Sequence, residues 1–428
     1  MRRVLLPLFI VCLVYLSDCS PALFAIDPPK RPTDGNGIEN MRQGNQAAKK
    51  ESLIELAKFI IQRVRVAPFN GEELKPKPVG PQEDLETLMV EADRYFRLPT
   101  QITPNDVQLQ YTRDLGRAIE TEVFDVLENG ANKLEKVNAM RIFGMAGKLA
   151  CEDLVPAYLK IITEDKYGPE YKIFAFQGLR NLLLIPDPKN PARPHFISDP
   201  VKLSAIYTEL DKVITKKHPA KLRPEDALLI QYIRREAVRA MAAIKFSVIR
   251  NQRAEMVGKP IWTLLRVASN DKFIAPKDAA LPDYGYHILE RIEAIIGIAS
   301  ELPDRSINPD LVAYMVNEGL NDIMTYLGKD KSADPRDKQL VPWRTSAARM
   351  IDAFKIWKVG LEKMPVAKTP TIATKLIDLL IPKTLTPIEA NGVASTPDIS
   401  PITNFRRDNK PKSTQVLDED PTTVVTIP

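Results

Sequence analysis

Histidine carries much of the proton transfer and metal binding seen near neutral pH, and this 428-residue sequence holds only three: His195, His218 and His287. His195 sits in a proline-rich stretch, His218 stands between Lys216-Lys217 and Pro219, and His287 opens a helical pattern. None has a second histidine or a cysteine at ligand spacing, and there is no HExxH, so no metal is expected. His287 reads as a packed or capping residue. A GxSxG elbow, a P-loop and a GxGxxG opening a helix are all missing, so no cofactor is expected and no residue qualifies as catalytic. Glu290 and Glu293 would be neighbours on one helix, which predicts a solvated face rather than the two facing walls of a glycosidase. Asp304, Asp310 and Asp322 lack the dense alternation of a calcium loop.

The arginines say more. Three of them recur in one setting: Asn138-Ala139-Met140-Arg141, Glu236-Ala237-Val238-Arg239 and Ser346-Ala347-Ala348-Arg349. Gln177 takes that place in Phe174-Ala175-Phe176-Gln177. Two helical positions are about 200° of rotation, so an arginine two residues past an inward alanine points away from the core. Arg141, Gln177, Arg239 and Arg349 are therefore the candidate binding residues, a discontinuous basic row suited to carboxylate or phosphate groups. The competing reading pairs each arginine with a neighbouring acid. Trp343 follows a polar loop, Asp330 to Pro342, and is a candidate exposed aromatic anchor, with partial burial as the competing reading; Trp262 is expected in the core.

Helices must position these residues. Leu53, Leu56, Ala57, Ile60, Ile61 and Val64 recur at three and four, drawing a stripe down one helix face. From about residue 118 the pattern becomes longer-range. Leu154 to Ile162, the acidic turn Glu164-Asp165, and Lys172 to Leu182 read as a helix, a turn and a second helix. Further first helices start at Pro260 and Leu311, and further second helices carry Ala139, Ala237, Ile292 and Ala347. Taking these with Ala175 as equivalent, the spacings are about 36, 62, 55 and 55 residues. These paired segments resemble HEAT repeats, two-helix units of about 40 residues that stack into armadillo-like α-solenoids. The type suggested is that of exported bacterial HEAT-repeat proteins. The resemblance covers roughly 118–358 and implies an all-α, right-handed α-solenoid of about five helix pairs. In such a stack the second helices line the concave surface, which is where the arginine row would lie. The longer spacings imply inserted loops, one of them holding five prolines between Pro186 and Pro200.

The domain organisation expected is a signal peptide over 1–25, a flexible leader over 26–48 and N-terminal capping helices within 49–117. A HEAT-like repeat domain follows over 118–382, and a disordered tail rich in Thr, Pro, Asn and Asp over 383–428. The signal rests on Arg2-Arg3 followed by an apolar run of about 13 residues from Val4 to Leu16. Such a run spans roughly 20 Å as a helix, short of a ~30 Å bilayer core. The chain is then exported, to the periplasm or beyond, with no transmembrane segment in its mature form. Removing the signal leaves Cys151 alone, a buried thiol with no disulfide partner. Lys and Arg number 60 against 55 Asp and Glu, a balance too even to suggest nucleic acid. The function expected is a non-catalytic scaffold holding a protein partner that the sequence does not name. Two other readings stay open: an exported enzyme using the solenoid groove on a glycan or peptide, and a nucleic-acid-binding HEAT-like protein.

Overall fold

A computed structural model describes residues 29–65, 85–99, 104–187, 195–216, 223–246, 248–270, 286–301, 309–329, 343–363 and 371–391, together with residue 404. The residues expected to form an export signal, His218, the segment from Asp330 to Pro342 and nearly all residues after 391 lie outside the described residues. What is described is predominantly helical, with one short antiparallel pair, β1 (Ile249–Arg250) and β2 (Met256–Gly258).

The helices are α1 (Gly35–Gln43), α2 (Lys50–Gln62), α3 (Leu85–Phe96), α4 (Asp106–Asn129), α5 (Lys133–Ala146), α6 (Val155–Thr163), α7 (Pro169–Leu183) and α8 (Pro200–Thr215). They continue as α9 (Pro224–Ala243), α10 (Pro260–Ser269), α11 (Ile288–Ala299), α12 (Pro309–Lys329), α13 (Trp343–Glu362), α14 (Thr371–Leu380) and α15 (Thr386–Asn391). Much of the proline content sits where it helps. Pro169, Pro200, Pro224 and Pro260 each occupy the first turn of a helix, where a missing N–H removes no intrahelical bond. Elsewhere polar caps do the work. Asn105 and Gln108 form a reciprocal capping box at α4, and Asn132 accepts from the Glu135 N–H at α5.

Contacts between helices run in two successions. In one, α5, α7, α9, α11 and α13 each touch the next; in the other, α6, α8, α10, α12 and α14 do so. Cross-contacts join α4 to α5, α6 to α7, α8 to α9 and α10 to α11. Ala139, Ala175, Ala237, Ile292 and Ala347 are all buried, each on a helix of the first succession. On α8 the buried Ile206, Leu210 and Ile214 recur at every fourth position, and each stabilises the fold by roughly 2 kcal/mol. One contact depends on glycine. A Cβ at Gly178 would lie 2.3 Å from the Tyr158 ring, so its absence lets α6 close on α7. The Tyr158 hydroxyl then donates to the Phe143 carbonyl of α5 at 2.7 Å.

Three sequence expectations need correction here. The segment 26–48 is not wholly a flexible leader: it contains α1, capped by Asp34, closed by Gly44 at φ +79°, and anchored by buried Ile38 and Met41. Packing does not stop at 382 either, because a π turn over Ile381–Leu385 leads into α15, with Leu385 and Ile388 buried. Trp343 is 6% exposed and belongs to the core, so it is no surface anchor. Its indole starts α13 and faces inward because the apolar stripe of that helix begins with it.

Candidate functional site

The site is assembled by four consecutive helices of the first succession. Helix α7 supplies Arg180, α9 supplies Arg235, Glu236 and Arg239, α11 supplies Glu293, and α13 supplies Arg349. Arg349 donates from Nη1 to Glu293 Oε1 at 2.8 Å and from Nη2 to Oε2 at 2.6 Å, a two-point fork. Arg239 adds a third bond to Glu293, from Nη2 at 2.6 Å, and its Nη1 reaches Glu236 Oε1, also at 2.6 Å. Arg235 approaches that same Glu236 oxygen at 3.8 Å while its guanidinium lies over the Tyr232 ring.

The charges respond to this packing. Burial alone would raise the Glu293 carboxyl, but the bonds from Arg349 and Arg239 outweigh it and hold its pKa at about 2. Burial likewise pulls Arg239 down, and Glu293 and Glu236 more than restore it. Arg180 is different. Burial, and then the nearby Arg239, push its pKa down, and among the described residues its side chain has no hydrogen bond or ion pair. It remains a guanidinium because its ordinary pKa is so high.

Beside this cluster α11 carries two further polar anchors. Arg234, almost wholly buried, donates to both oxygens of Glu290 at 3.0 and 3.1 Å and lies over the Tyr286 ring. Glu290 also accepts from the His287 backbone N–H at 2.7 Å, completing a capping box in which His287 Nδ1 accepts from the Leu289 N–H at 3.2 Å. On the other side Arg291 donates to the carbonyls of Ala268 and Gly319 at 3.0 and 3.1 Å, and to Asp322 at 3.3 Å. Its first bond satisfies one of the last carbonyls of α10. The expectation of a solvated face at Glu290 and Glu293 is thus corrected: both are buried, 1% and 5% exposed. Their partners lie more than fifty residues away, which spacing along one helix does not reveal.

The sequence candidates fall out unevenly. Arg239 and Arg349 come together, not as free cations but on the shared acid Glu293. Arg141, on α5, is exposed and makes no ion pair with any described residue. Gln177 is half-buried on α7, one turn before Arg180. Arg180 escaped the sequence reading, and Glu293 was read only as part of a solvated face. The signal for Arg180 was its place three residues past Gln177, on the same helix face. Among the described residues no group of three or more His, Cys, Asp or Glu is placed to hold a metal, and no helix is long and apolar enough to cross a membrane.

No protein-family model, curated protein or solved structure matches this chain. The chemistry must therefore be read from the cluster itself. Glu293 is ionised and saturated by three donors, which disqualifies it as a proton acceptor poised near neutral pH. Fixed guanidiniums at a partly open surface are suited to ionic recognition.

Proposed function

We propose that this chain is an exported, right-handed HEAT-like α-solenoid that holds a protein partner along the face formed by its second helices, with no bond chemistry. The observation that carries the reading is the convergence of Arg239 and Arg349 from two helices on the single acid Glu293, beside the helix that carries Arg180. The two successions of touching helices, with a buried small or apolar residue at each equivalent position, support the repeat architecture. Each such pair needs neighbours to bury its faces, and the stack then presents many side chains on one frame. Export rests on the signal-like residues 1–25.

The test is affinity capture from an envelope extract, with the bait immobilised through its C-terminus. A variant carrying Arg141→Glu, Gln177→Glu and Arg180→Glu is compared with Lys212→Glu, which alters an exposed residue of α8 in the other succession. The first should lose proteins that the wild type and the second both recover. Identical recoveries from all three baits would remove the second-helix face from consideration.

A further inference from the structure

Three guanidiniums, those of Arg235, Arg239 and Arg349, meet two carboxylates, Glu236 and Glu293, and Arg180 stands on α7, the helix packed against α9, without an ion pair to any described residue. A charge withdrawn from water is costly unless an opposite charge compensates it. Arg349 and Arg239 meet that demand through Glu293. Arg180 does not: it is half-buried, and no described residue accepts from its five N–H donors. The Nε donors of Arg235 and Arg239 are also buried and without acceptors. The group is nonetheless reachable, since the Arg349 side chain keeps 40% of its exposure and Arg180 is half-buried rather than enclosed. The excess positive charge lies where an outside anion can arrive.

We infer that this cluster is a carboxylate-binding site for an acidic, Asp- and Glu-rich segment of a partner protein, with Arg180 as the residue that takes the incoming carboxylate. The inference rests on the scaffold reading above and adds the chemistry of the partner. A carboxylate fits because the same face already holds carboxylates in guanidinium forks. A nucleic acid fits poorly. Lys and Arg exceed Asp and Glu by little over the whole chain, too little for the many phosphate contacts that such binding uses.

The probe is a blocked octapeptide of alternating glutamate and aspartate, titrated calorimetrically into the full chain at low ionic strength. A serine–glycine octapeptide and a 20-nucleotide oligothymidylate serve as comparisons. The acidic peptide should bind saturably, weaken with added salt, and lose about tenfold or more in affinity in Arg180→Gln, as expected for a charge-assisted bond. Arg180 makes no side-chain bond to any described residue, so Arg180→Gln should unfold in urea at the wild-type midpoint or above it. A purely structural arginine would do the opposite. Arg180→Lys keeps the charge and stem without the fork and should bind several-fold more weakly than the wild type. Arg113→Gln, on α4 beside Asp153, should bind as the wild type does. Unchanged affinity in both Arg180 variants, or no binding by the wild type, overturns the site, as does tighter binding of the oligothymidylate that depends on Arg180. A chain that ignores the acidic peptide yet still captures a partner through Arg141 loses the carboxylate site alone. One that binds the peptide but captures nothing loses the scaffold reading alone.

Discussion

Arg349 and Glu293 lie 56 residues apart in sequence and join α13 to α11 through two parallel hydrogen bonds of 2.8 and 2.6 Å. The Glu293 side chain is 6% exposed and that of Arg349 40%, so one end of the pair is buried and the other meets water. Removing the acid strands Arg349 and leaves Arg239 with Glu236 alone. For a fully buried pair such a loss costs about 3–5 kcal/mol; with Arg349 this exposed, Glu293→Gln should cost roughly 2 kcal/mol. Urea unfolding at pH 7 measures it, and a cycle with Arg349→Gln isolates the pairwise part. The pH dependence follows from the same contact. The folded pKa is about 2 against an ordinary 4.5, so the unfolded chain binds more protons between those values. The stabilisation is complete above about pH 4.5 and is lost as pH falls towards 2. The stability gap between wild type and Glu293→Gln should narrow steadily across that window, and a gap independent of pH would show that Glu293 is not held ionised.

How much of this was written in the sequence depends on the range of the interaction. The register of Ala139, Ala175, Ala237 and Ala347 was legible because helical periodicity is local, and all four are buried. Arg239 and Arg349 were legible for the same reason, as residues facing away from those alanines. Their convergence on Glu293 was not, because it requires knowing that α9, α11 and α13 touch in succession. Arg234 and Glu290 stayed hidden likewise, being 56 residues apart. Helix α1 was obscured by Gly35, Gly37 and Gly44, which lower helix propensity; the Asp34 cap and the apolar pair Ile38 and Met41 outweigh them through packing. Trp343 was left between a surface anchor and partial burial because a polar sequence precedes it, and a neighbour's polarity says little about which face of a helix a residue takes.

Gly178 offers a test of the α6–α7 contact. Alanine there would gain about 1 kcal/mol of helix propensity. Its methyl would press on Cε1 and Cζ of Tyr158, at 2.3 and 2.4 Å, in a ring that is fully buried and held through its hydroxyl to Phe143. Overpacking of this kind costs about 1–3 kcal/mol, so the net effect of Gly178→Ala should be destabilising by up to about 2 kcal/mol. Gly35→Ala, where nothing lies within 4 Å of the new methyl, should be neutral or stabilising. Thermal melts of the two variants decide the matter; equal melting temperatures would mean that Tyr158 can shift at no cost.

Cys151 should be chemically silent in the folded chain. Its thiol is 3% exposed, and burial pushes its pKa up to about 11, leaving almost no thiolate at neutral pH. Gly116 of α4 closes over it, since a Cβ there would come within 3.0 Å of Sγ. Alkylation with iodoacetamide at pH 7.5, followed by peptide mapping, should leave the Cys151 peptide unmodified in buffer and modified in guanidinium chloride. Rapid labelling of the native protein at this residue would contradict the packing of α4 over it.

His287 couples the start of α11 to pH. Its Nδ1 accepts from the Leu289 N–H, which requires an unprotonated ring nitrogen. Burial, reinforced by Arg235 and Arg234, lowers its pKa below the ordinary 6.5, while Glu290 is occupied by Arg234 and the His287 backbone N–H. A base whose folded pKa is depressed gives stability that is present above about pH 6.5 and is lost as pH falls through the folded value. His287→Asn keeps a cap acceptor that does not titrate, whereas His287→Ala removes it at a cost of about 1 kcal/mol. Between pH 7 and 5, wild-type stability should therefore fall relative to His287→Asn, while His287→Ala should be the least stable of the three at pH 7. Parallel curves for wild type and His287→Asn would show that protonation leaves the cap intact, and the start of α11 would then owe its order to the Arg234–Glu290 pair instead.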